Sequence, residues 1–251
     1  MTATTIDDVL DALAAIVADT TARRDPLGYF PALYRRVTLR VKDGIAQGLF
    51  DDGTRMDRFD AAFASAYLHA YDKYRQHHRP SRAWQFAFER AGTGTLLILQ
   101  DLLVGINAHI NLDLGVVAGR MFSPSRLDDF RDDFDRINAI LASLIPVART
   151  AIEGFSPRLA ELTAVGGPDV AAALEFSVDA ARDDAWRTAT IVSLAPSDVR
   201  RLVVSAADAK AKLLGRVVAD PPEPVGSVAR HIRAAESRDV AAIITALDAL
   251  A

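Results

Sequence analysis

The sequence predicts an all-α fold: a single globular multi-helix bundle around one buried central helix. Three observations predict it. Apolar residues recur at spacings of three and four along most of the 251 residues, the period of one helix face. The breaks in that pattern carry Pro, Gly, Ser or Asp, the residues that start and stop helices. One stretch near residues 95–120 is aliphatic on nearly all sides, as a helix reads when neighbours surround it.

Each element follows from its own residues. Thr5 is placed to cap a first helix that carries Ile6, Val9, Leu10, Leu13, Ile16 and Val17 and stops before Pro26. Pro31 suits the first turn of a second helix running towards Phe50. Within it Val37-Thr38-Leu39-Arg40-Val41 alternates and is β-branched, so a strand is the competing expectation there. Asp51-Asp52-Gly53-Thr54 reads as a turn before a helix from Met56 to Gln76. Ser81 caps a short helix through Trp84, Phe86 and Phe88, and Thr93-Gly94-Thr95 precedes the long apolar helix, expected over Leu96–Val117 and ending near Gly119.

After Ser123-Pro124, a helix starting near Leu127 places Phe130, Phe134, Ile137, Leu141 and Leu144 on one face, with a kink or end expected at Pro146. Gly166-Gly167-Pro168 is the clearest loop; a helix from Asp169 to Leu194 and another after Pro196-Ser197 follow. The cluster Pro221-Pro222-Glu223-Pro224 divides a helical domain, residues 1–220, from a C-terminal helical appendage, residues 221–251, expected to pack on it.

Composition excludes several function classes. A formal charge of −4 and a pI near 5.7 give no net attraction to nucleic acid or to an anionic membrane, so neither is expected as a partner. With no cysteine, disulfides, thiolate metal sites and cysteine nucleophiles are all excluded. Met1 to Leu13 carry Asp7, Asp8 and Asp11 and no basic cluster, unlike a secretory signal, so a cytoplasmic location is expected. The apolar run Leu96 to Ile106 is broken by Gln100 and Asp101 and is shorter than the ~20 residues of a membrane span, so none is expected.

Familiar motifs are weak or missing. Gly92-Thr93-Gly94-Thr95 matches only half of a dinucleotide-binding pattern and follows no strand; Asp51-Asp52-Gly53 lacks the ligand spacing of a calcium loop. His77-His78 reads as a solvated turn. Glu175, Asp179 and Asp183 read as an exposed acidic stripe with Arg182 and Arg187 nearby for ion pairing.

The informative segment runs from Gln100 to Leu114. At about 100° per residue, Gln100, Asn107 and Asn111 line one stripe of a helix, and His109 with Asp113 line a second, nearly opposite. Polar groups on a buried helix need partners. The His109–Asp113 pair has three readings: ligands of a divalent metal, zinc or iron; a structural His–carboxylate hydrogen bond; or a general base with its orienting group. Asp60 lies on the apolar arc of the Met56–Gln76 helix, either as a third ligand or as a buried partner of Arg55 or Arg82.

Tyr67-Leu68-x-Ala70-x-Asp72, Pro80-Ser81-Arg82-Ala83-Trp84, the run from Gly105 to Leu114, and Ala181-Arg182-x-x-Ala185-Trp186 together resemble a bacterial domain family of unknown function. The resemblance spans roughly residues 30–195, and its most specific part is Asn107-Ala108-His109-Ile110-Asn111-Leu112-Asp113. It implies a helical domain and names no substrate.

Two functions are expected from these residues. One is a metal-dependent enzyme acting on a small organic substrate through His109 and Asp113, with Asp60 completing the metal site. Phe63, Tyr67 and Trp84 would line its pocket, and Asn107 and Asn111 would contact the substrate. The alternative is a non-catalytic helical protein that binds a small ligand or a partner. The sequence does not indicate an oligomeric state.

Overall fold

The computed structural model describes residues 3–162 and 178–250. Every regular element among the described residues is helical. Helix α1, Ile6–Arg23, opens on a capping box: Thr5 accepts from the Asp8 amide and Asp8 reaches back to the Thr5 backbone. A 3₁₀ turn, Pro26–Gly28, leads into α2, Tyr29–Ala46. The β-branched Val37–Val41 stretch lies inside α2, where burial of Phe30, Tyr34, Thr38 and Val41 on one face outweighs local strand preference.

Helix α3, Gly53–Arg75, starts three residues before Met56 because Asp52 caps it by accepting from the Arg55 amide. Ser81 accepts from the Trp84 amide and caps α4, Arg82–Gly92. The central helix spans Ile98–Met121 in three parts: α5, Ile98–Ala108; a π-helical segment, His109–Leu114; and α6, Gly115–Met121. It is longer than expected. At 24 residues it has the length and composition of a membrane span, a correction to the shorter reading of its apolar run, yet 83% of its most apolar window is buried inside the fold.

Helix α7, Pro124–Asp128, precedes α8, Arg131–Glu153, which continues through Pro146 rather than ending there; Thr150 Oγ1 donates to the Pro146 carbonyl, 3.0 Å away. Helices α9, Val178–Leu194; α10, Ser197–Ala219; α11, Val225–Ala235; and α12, Val240–Asp248 complete the chain. The Gly166-Gly167-Pro168 loop, Glu175 and the Asp179 side chain lie outside what is described. Arg182, read as an ion-pairing neighbour of the acidic stripe, is buried, donating to the Phe134 carbonyl with its guanidinium over the Phe134 ring.

The central helix is apolar all round because it feeds three hydrophobic clusters. Val104, Ala108, Leu112 and Val116 join the cluster built by α1, α2, α3 and α4. Ile110, Leu114 and Ala118 join one containing Phe59, Phe130 and Phe134. Ile98 and Leu102 join a third with Ile232, Ile243 and Ile244 of α11 and α12. A fully buried aliphatic side chain contributes about 1.5–3 kcal/mol, so this one helix contributes a large share of the core. Helix α9 packs closest: a Cβ on Gly115 would sit 2.4 Å from the Ala185 carbonyl oxygen, and one on Gly119 would sit 2.5 Å from that of Ala189.

Candidate functional site

Both predicted polar stripes form, and they do different things. The first faces α10 and is spent on it. Gln100 Nε2 donates to the Val218 carbonyl at 2.8 Å, Asn107 Nδ2 donates to the Ala211 carbonyl at 2.7 Å, and Asn111 Nδ2 donates to Asn107 Oδ1 at 3.1 Å. Asn107, expected to contact substrate, thus tethers the central helix to α10 together with Gln100, while Asn111, also expected to contact substrate, donates to Asn107 one turn away on the same helix. Buried amides with these partners fasten two helices together.

The second stripe faces α2, α3 and α4. His109 is 3% exposed, and its Nδ1 lies 3.1 Å from Asp113 Oδ2. Trp84 Nε1 donates to the same oxygen at 2.8 Å. A carboxylate oxygen that accepts from the indole can accept from the imidazole too, when the ring proton is on Nδ1. Nε2, the lone-pair nitrogen, is buried and has no hydrogen-bond partner among the described residues. Both groups lie in the π-helical segment, a rare winding that occurs frequently at functional sites.

Five rings enclose the imidazole. Phe63 stacks on it with centroids 3.7 Å apart and planes 9° apart, and Tyr34 meets it edge-on at 4.6 Å. Phe30, Trp84 and Tyr67 stand at 5.8, 6.1 and 6.4 Å. Phe30 can come this close to the central helix because Gly105 leaves the space: a Cβ there would lie 2.7 Å from the Phe30 ring. The expected grouping of Phe63, Tyr67 and Trp84 is present. Phe30 and Tyr34 were missed, although Phe30, Tyr34, Thr38 and Val41 repeat at the spacing of a buried helix face.

Burial dominates the electrostatics. It pushes the His109 imidazole below the usual histidine pKa, partly offset by the Asp113 carboxylate, so the neutral ring is favoured. Asp113 is pushed up by burial, against the opposing hydrogen bonds from His109 and Trp84. Tyr34 is raised well above an ordinary phenol by burial and by the charges of Asp60 and Asp113.

Asp60 departs most from expectation. Arg55 pairs with Asp133 at 2.6 Å, and Arg82 is drawn to Asp208 at 3.8 Å, so neither neutralises Asp60. Its Oδ2 is buried without a hydrogen-bond partner among the described residues, and burial, followed by the charge of Asp57, raises its pKa to about 7. Among the described residues no three His, Asp or Glu side chains are grouped to hold a metal ion. His109 and Asp113 form a dyad in which Nδ1 is partnered and the buried Nε2 has no hydrogen-bond partner among the described residues. Chemically, that arrangement can accept a proton at Nε2 and hold the resulting imidazolium through Asp113.

Comparison with curated proteins finds no match, and comparison with solved structures finds none either. A family model described as a family of unknown function (DUF5995) matches residues 6–221, which include every residue of the dyad and its aromatic enclosure, and the chain belongs to that family.

Proposed function

We propose that the chain is a small-molecule enzyme whose general base is His109 Nε2, oriented by Asp113 and Trp84, with no metal taking part. The observation that carries the reading is the unpartnered Nε2 of a buried imidazole whose other nitrogen is held in place. Leaving a buried polar atom unpaired costs about 1–3 kcal/mol, so a bound group that supplies a proton there offsets a standing cost. Phe30, Tyr34, Phe63 and Tyr67 favour a substrate with a flat or apolar body and one acidic O–H, N–H or activated C–H. Asp113 Oδ2 already accepts from two donors, which supports a role behind the imidazole rather than on a metal. The tight ring packing supports a second reading, a non-catalytic ligand-binding protein that uses the same enclosure.

Long-range ¹H–¹⁵N NMR of the imidazoles, recorded against a panel of phenols, enols and amides, tests the proposal. His109 is expected as the neutral Nδ1–H tautomer, with its Nε2 resonance moving when a panel member binds. Turnover of that compound, abolished in His109→Gln, separates the enzyme from the binder. A protonated Nε2 in the free protein at neutral pH would sink the base role.

A further inference from the structure

A second buried carboxyl group lies away from His109, at the N-terminal end of the central helix. Asp101 is 8% exposed and makes no side-chain hydrogen bond or ion pair among the described residues. It lines a hollow of about 160 Å³ whose walls include Pro26, Tyr29, Leu96, Ile98 and Arg238.

Most other polar groups at this end already have partners. The Leu97 amide donates to Gln100 Oε1 at 3.1 Å, and the Ile98 amide donates to Glu236 Oε2 at 3.2 Å. Arg233 donates to the Gly94 carbonyl through Nε and Nη2 at 3.2 and 2.9 Å and lies 3.5 Å from Glu236. The helix N-terminus is therefore capped from within, which removes it as an anion site. What remains is a buried carboxyl on one wall, the Arg233 Nη1, which lines the hollow near Glu236 without a hydrogen-bond partner among the described residues, and, at the exposed mouth, an Arg238 guanidinium with no ion pair among the described residues.

We infer that this hollow binds a small zwitterionic amino acid, its ammonium on Asp101 and its carboxylate on Arg238, with a short apolar side chain against Pro26, Leu96 and Ile98. Three features support the choice. An unpaired carboxyl and an unpaired guanidinium line one hollow without meeting; burial raises the free Asp101 carboxyl, and a ligand with an ammonium and a carboxylate supplies the cation that lets Asp101 ionise and an anion for Arg238. The charges of Asp101, Glu236 and Asp239 act on Tyr29 and that of Asp25 acts on Asp101, outnumbering the Arg233 guanidinium that acts on both, and favour a further cation at the inner end. The volume suits a molecule of benzene size, since cavities of about 150 Å³ admit benzene. This site is independent of the His109 reading, and either can fail alone.

The test is thermal shift and titration calorimetry on the full chain with each of the twenty protein amino acids. For any that binds, the matching amine without the carboxylate and the matching acid without the amine are titrated as well. At least one small apolar amino acid is expected to bind, with both single-charge analogues roughly tenfold weaker or worse. Asp101→Asn and Arg238→Gln are each expected to weaken binding by a similar factor; Arg238 is exposed, so its variant tests the site even if Asp101→Asn fails to fold. The inference is overturned if no amino acid binds the wild type, if an analogue lacking one charge binds as well, or if Arg238→Gln leaves affinity unchanged.

Discussion

The Phe63 ring lies flat on the His109 imidazole, centroids 3.7 Å apart and planes 9° apart. Phe63 is only half-buried whereas His109 and the other four rings are buried, so Phe63 is the most exposed wall of the enclosure. Burial is the larger cause of the depressed His109 pKa, so Phe63→Ala should raise it towards 6.5, at a stability cost of about 1–3 kcal/mol. NMR titration of the imidazole reads the shift directly. An unchanged pKa would show that Phe63 does not shield the ring.

Asp113→Asn separates charge from geometry. The Asn side-chain oxygen can still accept from Trp84 and from Nδ1–H, so the dyad should keep its shape. The carboxylate that raised the His109 pKa is gone, and the imidazole should titrate still lower than in the wild type. Trp84→Phe removes the indole donor instead and should cost about 1–3 kcal/mol by leaving Asp113 with one hydrogen bond fewer. Denaturant unfolding of both variants beside the histidine titration distinguishes the two effects.

Asp60 makes stability depend on pH. Its folded pKa of about 7 lies above the unfolded value of 3.8, so the native state holds the extra proton between them. The contribution is fully present below the unfolded value and is lost as pH rises through the folded one, by an amount on the order of 4 kcal/mol. Asp60→Asn cannot ionise, so its stability relative to wild type should improve between pH 4 and pH 8 by about that amount. Parallel pH profiles for the two proteins would contradict a buried, unpaired Asp60.

Gly119→Ala should be among the most damaging single-methyl additions in the chain. The new Cβ would meet the Ala189 carbonyl oxygen at 2.5 Å and Val192 Cβ at 2.6 Å, atoms that cannot swing aside as a flexible side chain does. A loss of about 1–3 kcal/mol is expected from overpacking, with α6 and α9 forced apart. Ala→Gly at the equally helical but exposed Ala234 is the control, and should cost only the propensity difference of about 1 kcal/mol.

Metal loading addresses the expectation of zinc or iron at His109. Protein made without an affinity tag and dialysed in turn against zinc, iron and manganese should retain no stoichiometric metal that depends on His109, because Asp113 already serves the imidazole and the indole. Metal that is bound in the wild type and lost in His109→Ala would reinstate the metalloenzyme.

The residue pattern by itself determined the helical class, the caps at Thr5 and Ser81, and the existence of a buried polar pair at His109 and Asp113. Each rests on local spacing: helical periodicity decides which side chains share a face, and a helix without a polar face must be enclosed. Tertiary structure alone decided what each face meets. It gave Gln100 and Asn107 to α10, brought Tyr34 from α2 and the Trp84 indole from α4 to the dyad, and left Asp60 without an ion pair among the described residues. With 25 Arg and 27 Asp in the chain, many ion pairs are nearly equal in sequence, and only packing selects Arg55 with Asp133 over Arg55 with Asp60. The free Nε2 of His109 is a property of the same kind, since an unpaired atom is defined by every neighbour that fails to reach it.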